Sequence, residues 1–329
     1  MTDSPLSIVI HPSEFPAQVR TAVLAGLKAG RIPGRVLYQS DAQAQRWLDY
    51  HRAFSPSRID SAVREMYRSA FQAGFDLLPD GPCVAISLGC GGGQKDGDLF
   101  DTLTPEHRAH SAYVPIDTSV ALVVEATLHV AERHPRVPAF PLVANLEAEP
   151  DLNACLQDRV SPELPRLLCA FGLLPNLEPL SLLAYVRRLL RPGDALLLSA
   201  NQSPKGLAGD GERILTQYDN VPARTWYLGA VEALGIPLAD VDLRIDTLSV
   251  QSDGGWWRVD VKIVPRRDLE IRIHGEAIAW QAGQIVELFH SHRFTVPALT
   301  ARLESAQIEV LNSWQGAGGE EGILLLRRA

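Results

Sequence analysis

Paired cysteines are missing from this sequence. Its four, Cys83, Cys90, Cys155 and Cys169, form no Cys-x-x-Cys unit. That argues against a disulfide scaffold and against a cysteine-bound zinc, and free, mostly buried thiols are expected. An excess of positive charge is missing too. The 329-residue chain carries a formal net charge of −8, so a nucleic-acid partner gripped through its phosphates is not expected. The short basic clusters, Arg187-Arg188 with Arg191 and Arg266-Arg267, read as solvated ends of elements. No apolar run approaches the roughly 18 residues of a membrane span; the stretch 120–131 is broken by Glu125 and His129. The first residues do not join a basic segment to an apolar one, so no secretory signal is expected and the protein reads as soluble and cytoplasmic. There is no internal repeat, no low-complexity tract and no Gly-x-Ser-x-Gly elbow of an α/β-hydrolase.

What is there is a core-forming composition, 46% hydrophobic and 21% charged, at a length that suits one large domain or two ordinary ones. Helices are expected over 12–30 and 41–77. In the second, Ala62, Val63, Met66, Tyr67, Ala70 and Phe71 recur at three-to-four spacing. Pro79-Asp-Gly-Pro82 is a turn before an apolar strand at 83–88. Further strands are expected at 112–116, 140–144, 167–171 and 195–199, with helices at 120–133 and 180–190. This alternation predicts a parallel sheet covered by helices on both faces. Residues 205–235 read as helical, and 240–280 as alternating antiparallel strands of a smaller α+β unit. A helix at 296–306 and strands at 308–313 and 322–327 then return to the first sheet.

The apolar strand at 83–88 empties into Gly89-Cys-Gly-Gly-Gly93. The spacing is Gly-x-Gly-x-Gly, neither the dinucleotide Gly-x-Gly-x-x-Gly nor a phosphate loop. Such a strand-to-helix turn lets backbone approach a nucleotide-like cofactor at the carboxyl end of a parallel sheet. Lys95 follows, either as a partner for a cofactor carboxylate or as a surface lysine. Asp117 ends the second strand. Its two oxygens can accept both hydroxyls of a ribose, or can cap the next helix. Asn145-Leu146 ends the third strand, where the amide can meet an adenine edge and the leucine its face, or where the asparagine simply turns the chain. Arg191-Pro-Gly-Asp194 then cuts a helix before the fifth strand.

In this order the features resemble Rossmann-like methyltransferases that use S-adenosylmethionine. Dehydrogenases share the first two features but lack the Leu-x-Pro-Gly-x-Leu-Leu unit. Four stretches are similar, more narrowly, to the histidine-specific methyltransferase family: Leu88-Gly-Cys-Gly-Gly-Gly-Gln-Lys95, Tyr113-Val-Pro-Ile-Asp-Thr-Ser119, Phe171-Gly-Leu-Leu-Pro-Asn-Leu-Glu-Pro179 and Tyr218-Asp-Asn220. That family includes the Nα-trimethylating enzyme of ergothioneine biosynthesis. The resemblance implies an α/β fold: a Rossmann-like class I methyltransferase sheet with a second, smaller α+β domain inserted before the last strands. The implied organisation is an N-terminal helical segment or lid at 1–78, a cofactor-binding core at 79–200 and 291–329, and an inserted substrate-binding domain at 201–290. It also implies S-adenosylmethionine at Gly89, Gly91, Gly93, Lys95 and Asp117, with Asn145 and Leu146 beside the adenine and Tyr38 reaching in from the N-terminal segment. Asn176 and Tyr218, which by themselves read as a loop asparagine and a half-buried tyrosine, match in the resemblance residues that hold the α-amino and carboxylate groups of an amino acid, and Tyr218 or a water beside Asn176 could favour loss of the amine proton.

The chain departs from the family at the substrate. The histidine enzymes carry a Glu two positions before a Ser, and it grips the imidazole; here the stretch is Phe289-His-Ser291. The family's Tyr-Tyr-Pro-Thr-Arg is Phe54-Ser-Pro-Ser-Arg58, and its usual Asp is Asn145. Val261, on a strand of the second domain, is expected to line the pocket with Phe54, Phe289 and Ser291. A small-molecule substrate other than histidine follows, with an aromatic or aliphatic side chain. A nicotinamide-dependent oxidoreductase and a non-catalytic relative that binds the cofactor stand as alternatives. His290 and His292 alternate and would share one face of a strand, but no third ligand lies nearby in sequence, so no metal is expected.

Overall fold

The computed structural model describes residues 6–204, 210–251, 255–273 and 275–329. Its strands are β1 (Val9–Ile10), β2 (Val84–Leu88), β3 (Ala112–Asp117), β4 (Leu142–Val143), β5 (Arg166–Ala170) and β6 (Ala195–Asn201), then β7 (Val241–Val250), β8 (Trp256–Pro265), β9 (Leu269–Ile273), β10 (Glu276–Trp280) and β11 (Val286–Phe294), and last β12 (Ile308–Gln315) and β13 (Glu321–Arg328). Among the described residues, one sheet of eight strands has the order β1-β4-β3-β2-β5-β6-β13-β12. β1 to β6 pair in parallel, whereas β13 runs antiparallel to β6 and β12 to β13. Every residue of β2, β3 and β5 is buried, as a sheet covered on both faces requires. The chain steps outward from β2 to β4 and then restarts at β5 on the other side of β2. A crevice therefore opens at the carboxyl ends of β2 and β5, where ligands of such sheets bind.

Alternate residues of β2 feed two cores. Val84, Ile86 and Leu88 meet Leu182, Leu183 and Val186 of the helix Pro179–Leu189, together with Leu299 and Leu303 of Val296–Ser305. Ala85 points to the opposite face, among Tyr67 and Phe71 of the helix Ser61–Asp76 and Leu99 and Phe100 of Gln94–Asp101. A third core joins β8 to β11 with the helices Pro16–Lys28 and Val221–Ala233. The N-terminal residues are thus shared: 16–38 pack on the insertion, and 61–76 pack on the main sheet.

Several local features differ from the sequence reading. The third parallel strand is only Leu142–Val143; within the expected stretch 140–144, Pro141 lacks a donor for the ladder. The helices Pro105–His110 and Leu152–Leu156 were not anticipated, nor was β1. The expected helical stretch from 205 begins at Gly211, with 205–209 outside the described residues. The boundary expected at 290/291 falls inside β11, which leaves the insertion and bridges Gln202 of the main body through Phe294. All four cysteines are free. No helix of the described residues is long and apolar enough to cross a membrane.

Candidate active site

The glycine turn is built by backbone conformation. Gly89, Gly91 and Gly93 have φ of 66°, 52° and 71°, a region that side chains disfavour. Space forbids side chains as well. A Cβ on Gly93 would lie 2.5 Å from the Cα of Ala126, and one on Gly91 would lie 2.6 Å from the Trp47 ring. Gly93 is also the residue before the helix Gln94–Asp101, so the turn delivers the chain straight into a helix N-terminus. This turn forms the floor of a cavity of about 360 Å³ that spans the crevice and reaches the insertion.

Asp117, at the end of β3, faces the turn. Its Oδ2 accepts from Gly91 N (3.2 Å) and its Oδ1 from Ser119 N (3.0 Å). Burial pushes its pKa up to about 6 against these backbone bonds, which pull it down. The capping role belongs to its neighbour: Ser119 Oγ accepts from Leu122 N at the start of the helix Val120–Arg133. Lys95 is no free surface lysine. Its Nζ donates to Tyr67 Oη (2.8 Å), lies 3.5 Å from Glu321 Oε1, and stands 4.4 Å from the Tyr67 ring centroid. Asn145 and Leu146 line the far end of the cavity, but the Asn145 Oδ1 is already accepting from Glu147 N (3.0 Å). Tyr38 lines the same cavity, its ring 5.5 Å from that of Trp226 and its phenol kept protonated by burial.

At the other end, Tyr218 closes the helix Gly211–Tyr218 and meets β11. Its Oη lies 2.8 Å from Ser291 Oγ and accepts from Asn201 Nδ2 (3.3 Å). Asn176 donates to Gly172 O (3.0 Å), which orders the loop after β5. Phe289 is the wall: its ring centroid lies 5.6 Å from Trp226, 5.6 Å from Tyr227 and 6.4 Å from Tyr218. Phe54 sits at the rim, 40% exposed. Val261 does not reach the cavity, contrary to expectation. It is fully buried in the third core as the direct partner of Phe289 on β8, where the larger ring covers it.

The sequence reading missed much of the lining. Trp47, Tyr50 and His51 come from the helix Asp41–Phe54, and Trp226 and Tyr227 from Val221–Ala233. Trp47 stacks on His51 at 4.9 Å, and burial drives the His51 pKa down to about 3, so its imidazole is neutral. Arg293, only 6% exposed, lines the cavity with its guanidinium bonded to Gln217 Oε1 and 3.7 Å from Glu320. The alternation of Phe289, Ser291 and Arg293 on one strand was the available signal for that residue. By contrast, the Arg191-Pro-Gly-Asp194 unit is architectural. Asp194 accepts from Arg191 N (2.8 Å) and from Arg166 Nε (2.9 Å), which locks β5 to the start of β6.

His290 and His292 do share the other face of β11, with ring centroids 5.1 Å apart. No third ligand lies near them in sequence, but folding brings in Glu178, so that one ligand-capable atom of each of the three side chains lies within 4.8 Å of the others.

A model of the family described as histidine-specific methyltransferase, SAM-dependent, matches residues 19–328. No curated protein matches the chain. Among solved structures, the chain is similar to a 1,6-didemethyltoxoflavin-N1-methyltransferase of Burkholderia thailandensis, at 14% identity and a TM-score of 0.43, covering 100% of this chain and 93% of that one. It is also similar to the magnesium protoporphyrin IX methyltransferase of Synechocystis PCC 6803, at 11% identity and a TM-score of 0.45, covering 90% and 98%. Both were crystallised with S-adenosylhomocysteine. The family match runs over nearly the whole chain and includes the glycine turn, Asp117 and the insertion, so this protein belongs to the histidine-specific, S-adenosylmethionine-dependent methyltransferases.

Proposed function

We propose that this member of the family N-methylates an amino acid or amino-acid derivative other than histidine, one with an aromatic or aliphatic side chain. The observation that carries the reading is Phe289. Where the histidine enzymes present a carboxylate, this chain presents a ring packed against Trp226 and Tyr227. A ring has no acceptor for an imidazole N–H, and a desolvated imidazole without a partner costs about 1–3 kcal/mol.

The residues present fit the cofactor. At all four glycines of the turn, Gly89, Gly91, Gly92 and Gly93, a Cβ would come within 3.0 Å of a neighbour, Asp117 offers two buried acceptor oxygens, and Lys95 offers a fixed cation. S-adenosylmethionine supplies a methyl group on an already activated sulfonium. Asp117 would take the ribose hydroxyls, Lys95 the carboxylate, and Asn145 and Leu146 the adenine. Asn176 and Tyr218 would hold the α-amino and carboxylate groups of the substrate, with the Arg293 guanidinium facing the same carboxylate. Tyr218 is itself fixed by Ser291 and Asn201, so alignment of the amine rather than a strong base is the main contribution of the protein. The inserted strands and the N-terminal helices would act together as the substrate domain, since they share one core.

Incubation with methyl-labelled cofactor and a panel of amino acids and their derivatives tests this. Transfer to an aromatic or aliphatic amine, with histidine a poor acceptor, is the expected result. Histidine as the best acceptor would sink the substrate reading, and cofactor binding without transfer to any amine would support the non-catalytic relative.

A further inference from the structure

Behind the substrate chamber, on the opposite face of β11, three ligand-capable side chains meet. Glu178, His290 and His292 each bring a ligand-capable atom within 4.8 Å of the others. The two imidazoles are held the way ligands are held. His292 Nδ1 lies 3.1 Å from Pro175 O, and a carbonyl only accepts, so the proton is on Nδ1. His290 Nδ1 lies 2.9 Å from a Glu287 carboxylate oxygen, which fixes the same tautomer. In both rings the lone pair is therefore left on Nε2, and His290 Nε2 is buried with no hydrogen-bond partner. Imidazoles that ligate metals are oriented by carbonyl and carboxylate partners of this kind. Glu178 is exposed, directly precedes the helix Pro179–Leu189, and makes no side-chain cap bond there. Two cations act on His292: Arg258 is already neutralised, its Nε 2.5 Å from Asp260 and its Nη2 3.3 Å from Glu287, and the Arg302 guanidinium is engaged with the Trp256 ring, 4.1 Å from its centroid.

We propose that Glu178, His290 and His292 form a binding site for a divalent metal of the zinc class, with a water as fourth ligand. Two imidazole nitrogens and one carboxylate suit Zn²⁺ or its neighbours Co²⁺ and Ni²⁺, and not Mg²⁺ or Ca²⁺, which want oxygen. Bonds of about 2.0–2.2 Å to a tetrahedral ion set ligands roughly 3.4 Å apart. Closure from the present spacing needs shifts of about 1.5 Å at most: a rotamer change supplies them for exposed Glu178, and small χ rotations of the two imidazoles supply them between the rings. The site joins two parts of the chamber wall. Glu178 belongs to the segment that carries Asn176, and that segment already touches β11 where His292 N donates to Pro175 O (2.7 Å). The histidines alternate along β11 with Phe289 and Ser291. A bound ion would clamp the Asn176 loop to the strand bearing Phe289 and Ser291 without entering the chamber.

This inference stands apart from the choice of substrate and from the methyl-transfer chemistry. Full-length protein stripped with a chelator is titrated with Zn²⁺ in competition with a chromophoric chelator. One equivalent per chain is expected, with an affinity at least about tenfold weaker in Glu178→Gln and in His290→Ala, and also weaker in Glu287→Gln through loss of the orienting carboxylate. Glu178 is exposed, so Glu178→Gln keeps the test valid even if a histidine variant folds poorly. Zn²⁺ should also slow amide hydrogen exchange at 173–178 in the wild type and leave it unchanged in Glu178→Gln. Absence of a stoichiometric site, or equal affinity in wild type, Glu178→Gln and His290→Ala, overturns the site. Stoichiometric binding with no change in exchange at 173–178 overturns the clamp.

Discussion

Replacing Asp117 by Asn should weaken cofactor binding by roughly two orders of magnitude and remove a pH step that the wild type shows. Both oxygens of Asp117 already accept backbone N–H bonds, from Gly91 and Ser119. An Asn retains one acceptor and turns an N–H toward the other donor. Each hydrogen bond from a ribose hydroxyl to a carboxylate is worth about 1.5–3 kcal/mol, so losing the charge and one acceptor removes about 3 kcal/mol, near 100-fold in Kd. The pH step follows from burial, which sets the Asp117 pKa at about 6 in the free protein. Hydroxyl donors from the ribose favour the ionised form, so the pKa falls when the cofactor binds. Affinity is then constant above pH ~6 and drops about tenfold per unit below it, until the pKa of the complex is reached. For folding the sign is opposite. The folded pKa is raised above the unfolded value of 3.8, so this group favours the folded state below pH 3.8 and loses that contribution as pH climbs to about 6. Calorimetric titration with S-adenosylhomocysteine between pH 5 and 8 measures the binding effect. Asp96 is also buried with a pKa of about 6, bonded to Tyr113 and Ser87 beneath the turn, so the variant is the necessary control. An unchanged Kd in Asp117→Asn, or a pH step that survives in it, would refute the reasoning.

Phe289→Glu restores the carboxylate of the histidine enzymes beside Ser291; histidine affinity, read by equilibrium binding in the presence of S-adenosylhomocysteine, should rise at least about tenfold. Tyr218→Phe removes the hydroxyl that contacts Ser291 and Asn201, so urea unfolding should register a loss of about 1 kcal/mol, and single-turnover transfer should slow while cofactor Kd stays constant. Asp194→Ala strands the buried Arg166 guanidinium, and the urea midpoint should fall by the equivalent of about 3–5 kcal/mol with the cofactor residues intact. His51→Gln should leave the pH dependence of single-turnover transfer unchanged between pH 5 and 7, because a ring with a pKa near 3 has no ionisation there; a shifted profile would make His51 the base.

The glycine turn and Asp117, which the fold brings to one cavity, were legible because each is local. An apolar strand ending in glycines with no room for a Cβ, and a carboxylate at the end of the next strand, are features of a few consecutive residues each. That Asn176, Tyr218, Phe289 and Ser291 line the same cavity was legible only through family resemblance. Trp47, Tyr50 and Trp226 sit at helical spacing, where large aromatics read as core, and indeed each of them also packs against the third core. Only the fold shows that the same rings face a cavity. Val261 failed for a related reason. Val261 pairs with Phe289 across the strands and shares its sheet face, but its short side chain is fully buried in the third core while the longer ring reaches the cavity. The Glu178 contact with His290 and His292 spans more than a hundred residues of sequence, and alternation could announce only the two histidines.

The lining also bears on how the amine would lose its proton. Burial keeps the phenols of Tyr38, Tyr50 and Tyr227 protonated and the His51 imidazole neutral. None of these four is a good proton acceptor, so deprotonation has to come from the environment of the amine itself. Two effects compete. Aromatic faces attract an ammonium by about 0.5–2 kcal/mol, which favours the charged form. Loss of water opposes it, since burial disfavours the charged form. A lone cation some 4 Å away would add about 4 kcal/mol at an effective dielectric of 20, but Arg293 is no lone cation: Glu320 lies 3.7 Å from its guanidinium, and Gln217 bonds it. That paired charge largely cancels, so desolvation is what stands against the rings, and a neutral, attacking amine would be favoured to the extent that the closed chamber excludes water.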